Sequence, residues 1–171
     1  MHLTIRRFER VDRDAVDDVV ESALRSADAY FEDVPALEDG DIIAEYVDAG
    51  GAFLVGERND VEASEIVATA AFRPPTGVAA VFVDDDGSTA EVKRMHVHPD
   101  HHREGVGQRM YDELEARARE IGYDRLVLST TGRQTAAHAF YESNGFGRIG
   151  STTAAVADTT LSILVFEKSL D

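Results

Sequence analysis

Between His96 and Met110 the chain changes its periodicity within a few residues, and this stretch constrains the fold more than any other. An extended run ending in Val97-His98-Pro99 passes into Asp100-His101-His102-Arg103-Glu104-Gly105-Val106-Gly107-Gln108. From there Val106, Met110, Leu114, Ala118 and Ile121 mark one face of a helix. Arg109/Glu113, Glu113/Arg117 and Glu115/Arg119 stand four residues apart and are expected to pair on the outer face. Gly122 ends the helix, and Arg125 to Ser129 is a short apolar strand. Strand, helix and strand in this order predict a right-handed crossover with two parallel neighbours. The turn itself suits an anion. Gly105 and Gly107 lack a Cβ, so backbone N–H groups can approach a phosphate closely while the helix adds its dipole. Arg103 and Arg109 could add charge-assisted contacts. The turn has neither the GK[ST] ending of a nucleoside-triphosphate loop nor the third glycine of a dinucleotide fingerprint.

The remaining chain predicts a sheet around this unit. His2 to Phe8 alternates with Leu3, Ile5 and Arg7 on one side, and Asp12 reads as the N-cap of a helix from Arg13 to Ser26. Tyr30 to Pro35 forms a loop with two aromatics and two carboxylates that could wall a pocket, and a short helix around Glu38 to Asp48 ends at Gly50-Gly51. Ala52 to Glu57 and Glu65 to Arg73 read as a hairpin, Val78 to Val83 as another extended piece, and Thr89 to His98 as the next strand. Alternation fails near Lys93-Arg94, which fits either a bulge or a central strand buried on both faces. Thr135 to Ser143 is a helix capped by Asn144-Gly145, and Phe146 to Ser151 with Ser162 to Lys168 closes the chain as a hairpin.

Composition narrows the functional classes. With 171 residues, 43% of them hydrophobic, and no break in composition, one domain over residues 1–171 is expected. No apolar run reaches the roughly 18 residues of a membrane span, and the N-terminus carries no signal-like core, so a soluble cytoplasmic protein without a membrane partner is expected. Cysteine is absent, which removes disulfides, thiolate metal sites and cysteine nucleophiles together. The net charge of -16 makes nucleic acid an improbable partner, because phosphodiester binding needs a basic footprint. All basic residues except Lys93 and Lys168 are arginine. Such a surface fits adaptation to high salt, where a short Debye length screens self-repulsion, and it would also attract cationic amines.

Two motifs together resemble one family. His102-Arg103-Glu104-Gly105-Val106-Gly107 is similar to the Q/R-x-x-G-x-G/A turn of the GNAT superfamily of acyl-CoA-dependent N-acetyltransferases, and Gln134 to Phe146 resembles that family's N-x-x-A-x-x-(F/L)-Y-x-x-x-G-F signature. The likeness covers at least Glu91 to Phe146. His102 stands where Gln or Arg is usual, Gln134 where Asn is usual, and Arg103 where Gly is frequent, which implies an ordinary negative φ at 103.

The resemblance implies a mixed α/β (α+β) fold: a mostly antiparallel sheet of six to seven strands with a parallel, splayed pair at its centre, flanked by about four helices. It implies acetyl-CoA as co-substrate, with the pyrophosphate on the backbone of His102, Arg103, Glu104, Gly105, Val106, Gly107 and Gln108. Pantetheine would lie along Met95, His96 and Val97, and Gln134, Phe140 and Tyr141 would complete the cofactor site. A backbone N–H at Val97 or His96 would meet the oxyanion, and Tyr141 would protonate the leaving thiolate. A base is needed because an ammonium has no lone pair. Glu91 and His96 lead as candidates, followed by Glu32 and Asp33. His98, His101 and His102 cluster near Asp100, but that loop is where the phosphates belong, and no metal is expected. The expected reaction is acetyl transfer to a primary amine of a small molecule or protein, in a possible homodimer. The competing class is a non-catalytic acyl-CoA-binding module.

Overall fold

The computed structural model describes residues 2–27, 40–60, 62–84, 86–156 and 158–171. The Tyr30 to Pro35 loop, with Glu32 and Asp33, lies outside the described residues, as does the start of the helix expected at Glu38. Seven strands form one sheet in the order β1-β2-β3-β4-β5-β7-β6. They are β1 (His2–Arg7), β2 (Ala52–Asn59), β3 (Ser64–Arg73), β4 (Thr89–Val97), β5 (Arg125–Thr131), β6 (Gly147–Val156) and β7 (Thr159–Ser169). All neighbours pair antiparallel except β4 and β5, which are parallel. The helices are α1 (Arg13–Ser26), α2 (Gly77–Val81), α3 (Val106–Ile121) and α4 (Thr135–Ser143), with a single π-helical turn at Ile43–Val47.

Helix α3 is amphipathic as its spacing predicts: Val106, Met110, Tyr111, Leu114 and Ala118 are buried against Leu54, Ala70, Phe72, Val92, Leu126 and Leu128. Ile121 departs from that face and is half-exposed. On the outer side Glu113 pairs with Arg117 at 3.0 Å and Glu115 with Arg119 at 3.5 Å. Arg109 instead donates to the carbonyl of Leu3 and ties α3 to β1. Helix α1 buries Val16 and Val20 in a second core with Phe8, Phe53, Val55 and Tyr46.

Two readings change. Val78 to Val83 is not extended, because Gly77–Val81 forms helix α2, whose Ala79 packs on Val127 and Val165. A valine-rich run of this length is ambiguous between strand and helix by pattern alone. Asp12 precedes α1 but does not cap it. Its carboxylate is held by Arg6 Nη1 and Nη2 at 2.8 and 3.0 Å and accepts the Glu9 N–H, and the Arg6 bonds hold it below the usual carboxylate range.

Candidate active site

The central opening of the sheet follows from how briefly β4 and β5 pair. Thr89, Ala90 and Glu91 face Arg125, Leu126 and Val127; beyond them β5 continues only with β7, and β4 only with β3. On its β3 side, β4 carries a bulge: Ala71 faces Lys93 and Thr69 faces His96, so Arg94 and Met95 together oppose Ala70. Arg94 sits in the left-handed region at φ 53°, and its carbonyl accepts the Thr69 hydroxyl at 2.6 Å. The bulge lies just past the last β4–β5 pair, where β4 has already parted from β5.

The gap holds a cavity of about 220 Å³ lined by Leu24 of α1, Glu91 to His96 of β4, Leu128 to Thr130 of β5, Gln134 just before α4, and Ala137 and Tyr141 of α4. A second cavity of about 390 Å³ shares Leu24, Met95, His96, Gln134 and Ala137 with the first. It extends past Val97, His102 and Arg133, so the two form one cleft from the loop before α3 into the sheet. Thr130 is buried there with a hydroxyl that has no hydrogen-bond partner among the described residues, a state a polar ligand in the cleft would relieve. A larger hollow, about 440 Å³, lies beside α1, but its Asp12 and Glu57 carboxylates are already bound by Arg6.

At the head of the cleft the turn is built by distinct local bonds. His98 Nδ1 accepts the Asp100 N–H, His101 Nδ1 lies 3.1 Å from Glu104 Oε2, and His102 Nε2 lies 3.0 Å from the Val97 carbonyl. Each histidine therefore braces the turn, and among the described residues no His, Asp or Glu group has a metal-holding arrangement. The His102 latch accounts for a histidine at this position: it fastens the turn to the end of β4. Gly105 adopts φ 79° and opens α3, leaving the Val106, Gly107 and Gln108 N–H groups without intrahelical partners. Gly107 approaches β4 closely, since a Cβ there would lie 3.6 Å from Val97 Cγ2. Arg103 does not have the negative φ expected of it. At φ 64° it occupies the left-handed region where glycine is cheaper, which is why glycine suits the position. The Gln108 side chain pairs with Asn144, at 2.7 Å from Nε2 to Asn144 Oδ1, and joins the start of α3 to the end of α4.

Along β4, the His98 N–H donates to the Val67 carbonyl on β3. Strand alternation then turns the main chain of His96 toward β3 as well and that of Val97 toward the gap, consistent with the Val97 carbonyl meeting His102. Of the two expected oxyanion donors, Val97 is the one whose N–H faces the cleft. The His96 ring lines both cavities; burial strips its water, the Arg94 charge adds to this, and its value falls from 6.5 to about 4. Glu91 reaches the cavity but its carboxylate is engaged. Oε1 accepts the Thr76 N–H at 2.9 Å and lies 3.3 Å from its hydroxyl, while Oε2 is 3.9 Å from Lys93 Nζ.

Helix α4 contributes Tyr141 and Gln134. Tyr141 is buried, its ring packed edge-on against Phe140 and Phe146, and desolvation pushes its phenol above the ordinary 10. Phe140 stays in that aromatic cluster with Tyr111 and does not line the cleft. Gln134 Oε1 accepts the Thr131 N–H at 3.2 Å, so its NH2 is the group left for a ligand. Sequence reasoning missed Thr130, Thr76, Leu24 and the cavity role of Arg94. Thr130 left a trace as a polar residue prolonging an apolar strand, and Arg94 one in the broken alternation at Lys93-Arg94.

The acetyltransferase (GNAT) family model matches residues 16–146. An IAA acetyltransferase of Azospirillum brasilense is 35% identical over 74 residues, 43% of this chain and 48% of that protein. An N-acetylaspartate synthetase of Danio rerio is 34% identical over 76 residues, 44% of this chain and 27% of the relative. The chain thus spans less than half the length of these curated relatives. Among solved structures, a GNAT-family acetyltransferase of Staphylococcus aureus Mu50 superposes with TM-score 0.77 at 20% identity, covering 99% of this chain and 100% of the other. A phosphinothricin acetyltransferase of Sinorhizobium meliloti, solved with acetyl-CoA, gives 0.77 at 17% identity over 99% and 89%. These two share the fold. A family match that runs through the bulged strand, the glycine turn and the tyrosine-bearing helix makes this chain a member of the acetyltransferase (GNAT) family.

Proposed function

We propose that this chain transfers the acetyl group of acetyl-CoA directly to a primary amine. The observation that carries the reading is the cleft where β4 leaves β5, with the glycine turn at its head and Tyr141 in its wall. In this reading the N–H groups of Val106, Gly107 and Gln108 hold the pyrophosphate, supported by Arg103, while the main chain of Met95 pairs with the pantetheine. The Thr130 hydroxyl and the Gln134 NH2 supply side-chain bonds from the opposite wall.

The amine nitrogen attacks the thioester carbon, and the Val97 N–H meets the oxygen as charge develops on it. The carbon–sulfur bond then breaks and the sulfur takes a proton. Tyr141, kept protonated by burial, presents its O–H to that sulfur, and the proton lost by the attacking amine makes good the one it gives. His96 is a neutral acceptor that receives the amine proton directly or through water and passes it on through water to the Tyr141 oxygen, so both groups return to their starting state. Glu91 lies in the same wall of the cleft with its carboxylate bound by Thr76 and beside Lys93.

The test is CoA release from acetyl-CoA with a panel of amines in high salt. Tyr141→Phe lowers turnover roughly ten-fold or more and leaves acetyl-CoA affinity nearly intact. An unchanged rate removes Tyr141 from the chemistry, and no release with any amine leaves only the binding module.

A further inference from the structure

Three polar side chains from three different elements converge on the inner cavity, and none of them hydrogen-bonds to another protein group among the described residues. Thr130 of β5 is only 8% exposed, and its hydroxyl has no partner. Tyr141 of α4 meets its neighbours through its ring, edge-on to Phe140 and Phe146, and desolvation is the influence on its phenol. The ring of His96 on β4 feels burial and the charge of Arg94, neither of which is a hydrogen bond. All three line the same space of about 220 Å³. Other polar groups around it are matched: the Thr69 hydroxyl with the Arg94 carbonyl, Glu91 with Thr76, and the Gln134 carbonyl with the Thr131 N–H.

Packing gives no reason for a hydroxyl at Thr130. The residue faces Leu164 across the β5–β7 ladder and shares its side of β5 with Leu126 and Leu128, both core residues. Valine has the same shape and would avoid burying an unbonded hydroxyl. What the hydroxyl adds is a group that donates and accepts at once. In acetyl transfer the amine proton taken by His96 has to reach the Tyr141 oxygen, and so must cross the cavity from β4 to α4. A water in that path needs two to four polar partners and a share of volume of about 30 Å³; the wall supplies the partners and the cavity the room.

Resting on the acetyl-transfer reading, we propose that Thr130 is a positioning residue whose hydroxyl seats the water that carries the amine proton from His96 to Tyr141. The protons balance. As the carbon–sulfur bond breaks, the Tyr141 O–H gives its proton to the sulfur and is left as phenolate, while the amine gives its proton to His96. The seated water takes that proton from the imidazolium and passes one of its own to the phenolate. CoA leaves as the thiol, the product amide is neutral, and His96, Tyr141 and the water return to their starting forms. The bond that Thr130 makes from its wall of the cleft is then to this water.

The experiment compares Thr130→Val and Thr130→Ser with the unaltered chain in high salt, using the amine of the panel that releases CoA fastest. Thr130→Val is expected to lower kcat about ten-fold while the Kd of acetyl-CoA, titrated calorimetrically, stays within about three-fold, and Thr130→Ser to keep kcat within about three-fold. Thr130→Val is also made in Tyr141→Phe, which has no proton to recover; there it should change kcat by less than about two-fold, because residues that act as a unit are non-additive. Denaturant unfolding of Thr130→Val is expected at the same midpoint or a higher one, since a buried unbonded hydroxyl has gone. An unchanged kcat in Thr130→Val, a lowered unfolding midpoint, full additivity with Tyr141→Phe, or a loss of acetyl-CoA affinity of about ten-fold or more each overturns the inference and leaves acetyl transfer standing. No CoA release with any amine overturns acetyl transfer, and this inference with it.

Discussion

Gly105 and Gly107 are placed under different demands. Gly105 needs its positive φ and faces open space, whereas Gly107 has ordinary backbone angles and lies against Val97. Gly105→Ala therefore destabilises the fold by about 1 to 2 kcal/mol through backbone strain, read from denaturant unfolding. Gly107→Ala folds normally, since a 3.6 Å contact is ordinary packing, and weakens acetyl-CoA binding about ten-fold, or 1.4 kcal/mol, by calorimetry. His96 gives a prediction with a sign. Its folded value, about 4, lies below its unfolded value of 6.5, so the unfolded chain binds the extra proton between these limits. The stability contributed by neutral His96 is complete above pH 6.5 and is lost as pH falls toward 4. His96→Asn should flatten the stability–pH curve in that window by up to about 1.4 kcal/mol per pH unit, measured by urea unfolding at constant high salt.

Helix α3 is the element on which both the core and the glycine turn depend. Leu114 is fully buried at its middle, and Leu114→Ala is expected to cost about 2 to 5 kcal/mol in denaturant unfolding while leaving the cleft residues in place. Elements of this kind were legible in the sequence. The spacing of Val106, Met110, Leu114 and Ala118 and the two glycines at the helix ends define α3 to the residue, and Thr135 to Ser143 defines α4 equally well. Gly77–Val81 was not legible, because five small or branched apolar residues fit a strand and a helix turn alike. The site was legible where a backbone conformation demanded a residue type, at Gly105, or where a signature fixed it, at Tyr141. It was not legible where tertiary contact decided the matter. Nothing near Glu91 in the sequence announces that Thr76 will occupy its carboxylate, and nothing local shows that Asp12 will leave the start of its helix for Arg6. The broken alternation at Lys93-Arg94 is the intermediate case, since the pattern allowed a bulge and the pairing of Ala70 with two residues selects it.

At the scale of the whole molecule, the net charge of -16 is the quantity on which salt acts. Excess carboxylates repel one another across the surface, and ion pairs such as Arg13–Asp17 and Arg25–Glu21 offset only part of this. Moving from molar salt to 0.1 M is expected to lower Tm on the order of 10 °C, followed by circular dichroism; an unchanged Tm counts against salt adaptation. The short contact between β4 and β5 has a mechanical meaning at this scale. The sheet has two parts, β1 to β4 and β5 to β7, which pair over only three residues and are spanned by the core beneath α3 and by the Gln108–Asn144 tie between α3 and α4. A ligand lying along this seam would act as a splint. Acetyl-CoA at a hundred times its Kd should add about 2.7 kcal/mol to stability. In the presence of acetyl-CoA, amide exchange should slow most at Met95 and Val97 and along the open side of β5, where a ligand would join the two sides of the seam.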